Sequence, residues 1–155
     1  MCFGKKQNLC SFQLDGKSID WVESWTYLGV TLKAHTKFNC CIDSKVKSFY
    51  RCANSILRIE GRSNENVMLQ LLEVHCTSIL TYAIDVVRVA DRDENRRLRV
   101  AYNSIFRRVF NYRPWESVTE LQHALQRPTW EELVNERRAK FRERISQSDF
   151  MRNFT

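Results

Sequence analysis

The stretch Trp25-Thr26-Tyr27-Leu28-Gly29-Val30-Thr31-Leu32 and the residues that follow it decide how this chain reads. The eight residues are rich in aromatic and β-branched side chains, the composition of a strand. Trp25, Tyr27 and Gly29 fall on one face, and Leu28, Val30 and Leu32 on the other. A strand apolar on both faces is expected to be covered on both sides. Gly29, with no side chain, marks a place where backbone or ligand approaches closely. Directly afterwards the hydrophobic period changes from two to 3.6. Phe38, Ile42, Val46, Phe49, Ala53, Ile56 and Leu57 recur in steps of three and four, predicting an amphipathic helix over about 37–60 with Thr36 as N-cap and Gly61 as stop.

Upstream, Leu9–Leu14 and Ser18–Val22 flank Asp15-Gly16, a strong two-residue hairpin signal. Downstream the pattern stays helical. Asn64 caps a second segment that carries Val67, Leu71, Leu72, Val74, Ile79, Leu80 and Ala83. Its circumference is the most apolar of any segment, the mark of a buried central helix. Asp91 or Asp93 opens a third near 94–112, with Leu98, Tyr102, Ile105, Phe106 and Val109 inward and Pro114 beyond its end. Ser117-Val118-Thr119-Glu120 fits a capping box for a short helix to Leu125. Pro128 begins the last, over about 128–147, with Trp130, Leu133, Val134, Phe141 and Ile145 apolar. The expected fold class is mainly α (α+β): a small N-terminal antiparallel hairpin or sheet in residues 1–33, then a bundle of four to five helices in 34–155.

Composition agrees with one compact helical unit. The chain has 155 residues, 43% of them hydrophobic, enough to bury a core. Only 4 Gly and 2 Pro occur, which disfavours an all-β or loop-rich architecture. No apolar run approaches a membrane span. The N-terminus turns polar at Lys5-Lys6, so no secretory leader is expected. The six Cys are poorly placed for bridges, with Cys40 and Cys41 adjacent and Cys52 and Cys76 inside helical patterns. Free thiols in a reducing, intracellular compartment are expected, nuclear or cytoplasmic.

The formal net charge is +7, which attracts polyanions. Its distribution is uneven. On the first long helix Lys47, Arg51 and Arg58 lie within about 40° of one another at roughly 100° per residue, away from the apolar stripe, and Lys45 and Lys37 add charge nearby. On the third helix Arg96, Arg99 and Arg107 share a side, with Arg97 and Arg108 next to it and Glu94 alone opposing. On the last helix Arg137, Arg138, Lys140, Arg142 and Arg144 are matched by Glu131, Glu132, Glu136 and Glu143. Matched charges make a solvated face. Unmatched arginines leave a field that phosphates neutralise, and the guanidinium fork suits them. A solvated exterior remains the bland explanation for these faces. Tyr50, Tyr112 and Trp115 stand beside Arg residues, where aromatic faces can stack on bases or simply fill the core.

Other chemistries find no footing. The chain has no Asp-Asp pair to hold paired metal ions. Asp91, Asp93 and Glu94 sit at an expected helix start, where the dipole favours acid. There is no Cys-x-x-Cys. His35 with Cys40 and Cys41, and His75 beside Cys76, are spaced poorly for zinc. No nucleophile–base arrangement or phosphate-binding Gly loop appears, so no catalytic residue, metal or cofactor is assigned.

Several segments together resemble one family. Met1-Cys2-Phe3-Gly4, the hairpin at 9–24, Tyr27-Leu28-Gly29-Val30, the basic helix from Phe38-Asn39 on, Ser78-Ile79-Leu80-Thr81-Tyr82-Ala83 and the Asn103–Arg107 stretch are similar to the end of the palm, the thumb and the following helices of LINE-class (non-LTR retrotransposon) reverse transcriptases. Where that family often shows proline and tryptophan after the tyrosine segment, Val86 and Val87 stand here. The family is an RNA-directed DNA polymerase. On this alignment the chain is expected to lie downstream of both catalytic aspartate motifs and not to be an enzyme on its own. The resemblance implies a nucleic-acid grip on primer or template, RNA or DNA. Combined with the charge pattern, it nominates Lys47, Arg51, Arg58, Arg96, Arg99 and Arg107 as phosphate contacts and Tyr27, Leu28 and Gly29 as the motif strand. The competing expectation is a helical interaction or scaffold domain that self-associates, or docks on a palm-like partner, through strands 9–32.

Overall fold

The computed structural model describes residues 11–34, 39–59, 64–85 and 92–148. Two small antiparallel sheets precede a helical body, as the period change demands. The first sheet is the hairpin β1 (Phe12–Leu14) and β2 (Lys17–Ile19), in register Phe12↔Ile19 and Leu14↔Lys17. Asp15 (φ 49°) and Gly16 (φ 74°) both adopt the left-handed region, the geometry of a type I′ turn. The second sheet orders β3 (Ser24–Tyr27), β4 (Val30–Lys33) and β5 (Asn39–Cys41) side by side.

That second sheet corrects two expectations. Residues 25–32 are not one strand. The chain reverses at Leu28 (φ 46°) and Gly29 (φ 74°), pairing Tyr27 with Val30 and Trp25 with Leu32. Tyr-Leu-Gly is therefore the corner of a tight hairpin, and the motif strand Tyr27, Leu28, Gly29 becomes a turn. Gly29 is needed for its positive φ rather than for close approach: a Cβ there would meet Tyr82 Cε1 at 3.7 Å, an ordinary contact. The helix expected over 37–60 is also shorter. Residues 39–41 pair with β4, so the sheet runs past the boundary expected at 33/34. Helix α1 spans Asp43–Ile59. The proposed cap Thr36, the stop Gly61, Phe38 of the apolar stripe, and Asp91 lie outside the described residues, as do residues 1–10 with Met1–Gly4 and Leu9.

The central segment is helical from Glu65 to Thr81, though not uniformly: α2 (Glu65–Leu72), a π-helical stretch (Glu73–Thr77) and α3 (Ser78–Thr81). Asn64 caps it, its side chain accepting from the Asn66 N–H at 2.9 Å. Then come α4 (Arg92–Val109), α5 (Thr119–Ala124) and α6 (Trp130–Ser146). The capping box expected at Ser117–Glu120 is absent, and Val118 is the cap without a side-chain bond. A complete box stands instead at Thr129 and Glu132, one residue past Pro128, so Pro128 precedes the helix rather than opening it.

The main core lies among α1, α2–α3, α4 and α6. Phe49, Leu69, Leu72, Leu80, Tyr102, Phe106 and Trp130 are fully buried there. Its two polar-tipped aromatics are satisfied: Tyr102 Oη donates to the Pro128 carbonyl at 2.9 Å, and Trp130 Nε1 donates to Asn95 Oδ1 at 3.0 Å. A second small cluster joins Val30 and Cys40 of the sheet with Leu32 and Ala83, seating the sheet against the end of α3. The β1–β2 hairpin keeps its apolar side chains in solvent, and so does β3, contrary to the two-sided cover expected of residues 25–32. Among the described residues Cys40, Cys41, Cys52 and Cys76 form no disulfide. Burial, and then the neighbouring Cys52, push the Cys76 thiol up to about 12.

Candidate nucleic-acid interface

Helices α1 and α4 lie side by side and parallel. Asp43 accepts from Arg97 at their N-terminal ends, and Asn54 accepts from Arg108 eleven residues further along both. The Arg108 guanidinium also lies 5.6 Å from the centre of the Tyr50 ring. The side-chain bond from Arg97 holds the Asp43 carboxyl below the ordinary carboxylate range. These contacts fix how each helix is turned. Phe49 and Ala53 of α1, and Leu98 and Ile105 of α4, point into the core. By helical geometry Lys47, Arg51 and Arg58 project from the opposite side of α1, and Arg96 and Arg107 from the opposite side of α4. The two outer faces lie on the same side of the pair.

The six nominated cations divide within this frame. Lys47, Arg51, Arg58 and Arg96 are exposed and make no ion pair with a described residue. Arg107 shares their side, but its Nε and Nη2 both donate to the Glu116 carbonyl at 3.2 and 3.0 Å. It clamps the loop after α4. Arg99 does not join them. It faces α6 and bonds Glu131 at 3.3 Å. The expectation that Arg99 is unmatched is corrected: its carboxylate partner comes from another helix, which counting charges within one helix cannot reveal. Glu131 is in turn drawn from the matched set of α6, where Glu136 pairs with Lys140 four residues on.

The hairpin corner meets the helices at a second place. Tyr82 Oη donates to the Leu28 carbonyl at 2.8 Å, and Lys45 Nζ donates to the Tyr82 carbonyl. A cleft lined by Leu28, Gly29, Ser44, Lys45, Ser48 and Tyr82 opens between them. Burial pulls the Lys45 ammonium below its ordinary value. No local signal announces this contact, because its partners are far apart in sequence and Tyr82 reads simply as the end of a helical pattern.

Chemically, a row of guanidinium and ammonium groups on one helical face can bind phosphates at repeated spacing, and each fork offers two bonds at once. Among the described residues no three His, Cys, Asp or Glu side chains converge as metal ligands. No helix of the described residues is long and apolar enough to cross a membrane. No family model, no curated protein and no solved structure matches this chain.

Proposed function

We propose that this chain is a reverse-transcriptase-derived nucleic-acid-binding module, similar to the end of the palm and the thumb in LINE-class enzymes, that grips the phosphate backbone and does not itself polymerise. One observation carries the reading. Lys47, Arg51, Arg58 and Arg96, from two helices, share one outer face with no carboxylate partner among the described residues. Arg97 and Arg108, spent on fixing α1 against α4, are the positioning residues of that face.

Four phosphate contacts on a single strand give a slope of log affinity against log salt of about −3. Lys47→Glu with Arg51→Glu removes two contacts and flattens the slope by about 1.4. Fluorescence anisotropy on RNA and DNA oligomers across a salt series reads both numbers. A weak affinity that is indifferent to salt removes the proposal.

A second reading, a protein-interaction domain, has its own observation. Phe12, Leu14, Trp25, Tyr27 and Leu28 are each more than half exposed on the two hairpins. Exposed apolar side chains of this size suit a contact surface on either hairpin. Stable association on sizing, with no response to nucleic acid, favours it.

A further inference from the structure

The loop after α4 holds a Trp in solvent on a rigid mount. Trp115 is 75% exposed, the most exposed large hydrophobic side chain among the described residues. Its ring is backed by Arg113, whose guanidinium carbon lies 5.7 Å from the ring centre. The turn beneath is closed twice: Glu116 N–H donates to the Arg113 carbonyl at 3.1 Å, and Arg113 N–H donates to Glu116 Oε2 at 2.6 Å. Arg107 ties the same turn to α4 through the Glu116 carbonyl. Pro114 restricts the backbone between.

Beside this mount, at the C-terminal ends of the parallel pair, is a cavity of about 590 Å³ lined by Leu57, Val100, Ser104, Arg108, Tyr112 and Pro114. That size falls in the range of small-ligand sites, about 300–1,000 Å³. Leu57, Val100 and Pro114 give it apolar lining, Arg107 and Arg108 give it guanidinium groups, and Tyr112 supplies an aromatic face. Arg107, which shares the side of the basic face, also lines the cavity, so face and cavity adjoin. Positive charge for a backbone and flat rings for a base therefore meet at one end of α1 and α4. A duplex keeps its bases stacked inside, whereas a single strand presents them.

We propose that Trp115, with the neighbouring cavity at Tyr112, seats an unpaired nucleobase, so that the basic face takes a single strand, RNA or DNA, in preference to a duplex. This rests on the nucleic-acid reading above and adds the substrate class to it. The Arg113 stack holds the Trp115 ring in place, so little rotamer freedom remains to be lost on binding. A base stacked on an aromatic ring contributes enough to be read as a fold-change in affinity.

The test uses the full chain with single-stranded RNA and DNA 12-mers, each carrying one 2-aminopurine, and with a blunt duplex of equal length, compared at each point of one salt series. Trp115→Ala is expected to weaken single-strand binding about tenfold, abolish part of the 2-aminopurine quenching, and leave duplex affinity and salt slope unchanged. Trp115→Phe retains an intermediate affinity. Because Trp115 lies in solvent, the thermal midpoint stays that of the parent. If Trp115→Ala binds single strands like the parent while Lys47→Glu with Arg51→Glu still weakens them, the seat is overturned and the basic face stands. If the parent binds neither polymer, both fall. If Trp115→Ala alters only the size of the particle on a sizing column, the ring is a protein contact and the seat is overturned.

Discussion

Leu28 is the residue whose conformation the sequence disguises best. A bulky side chain at φ 46° is uncommon, costing roughly 1 kcal/mol relative to a residue that tolerates the left-handed region. It persists because Gly29 completes the type I′ turn and because Tyr82 Oη binds the Leu28 carbonyl. The side chain itself is in solvent, so its replacement loses little packing. Leu28→Asn is expected to raise stability by about 1 kcal/mol, Asn-Gly being the preferred I′ pair. Tyr82→Phe is expected to lower it by about 1 kcal/mol or less, as one neutral hydrogen bond is lost. Chemical denaturation measures both. Faster amide exchange confined to the corner in Tyr82→Phe locates the effect.

At the scale of the element, the start of α6 is the most fully specified helix end. Thr129 Oγ1 accepts from the Glu132 N–H, and Glu132 Oε2 accepts from both the Thr129 N–H and its hydroxyl. Thr129→Ala is expected to cost about 1 kcal/mol. It carries a pH signature as well. The Thr129 backbone and hydroxyl bonds hold the Glu132 carboxyl below the ordinary Glu value. A carboxylate depressed in the folded state stabilises fully above its unfolded value, and that stabilisation is lost as pH falls through the folded value. Thr129→Ala removes the hydroxyl bond and keeps the larger backbone one, so it flattens the acid limb of the stability curve only in part, read as thermal midpoint against pH. α4 shows the opposite economy. Its arginines are distributed by neighbours, Arg97 and Arg108 to α1, Arg99 to α6 and Arg107 to its own following loop, and Arg96 alone of the nominated α4 set stays open among the described residues.

For the whole molecule, two surfaces compete for a partner. The α1–α4 face offers positive charge, and the hairpins offer apolar rings. β3 is an edge strand, with Trp25 and Tyr27 exposed and no Lys or Pro to blunt it. Trp25→Ser with Tyr27→Ser is expected to leave the core intact and shift any concentration-dependent association toward the monomer, as read by light scattering. Loss of association without loss of oligomer binding assigns the two surfaces to different partners. Retained association moves the contact away from β3.

How far local sequence reaches is visible in particular residues. Asp15-Gly16 demanded a turn, Asn64 a cap and Phe49 an inward face, because turn geometry, capping and helical period act over at most a few residues. Those same forces settled the mainly α architecture, the small sheet at its front and the excess of positive charge. The split of Trp25–Leu32 into a hairpin was hidden because Leu-Gly is a rare spelling of a type I′ turn and alternation of apolar residues fits one strand or two. The sharing of arginines, the docking of Tyr82 on Leu28 and the raised mount of Trp115 belong to the tertiary structure alone. Each joins groups from separate elements, and which charge stays open to solvent depends on which helix arrives beside it.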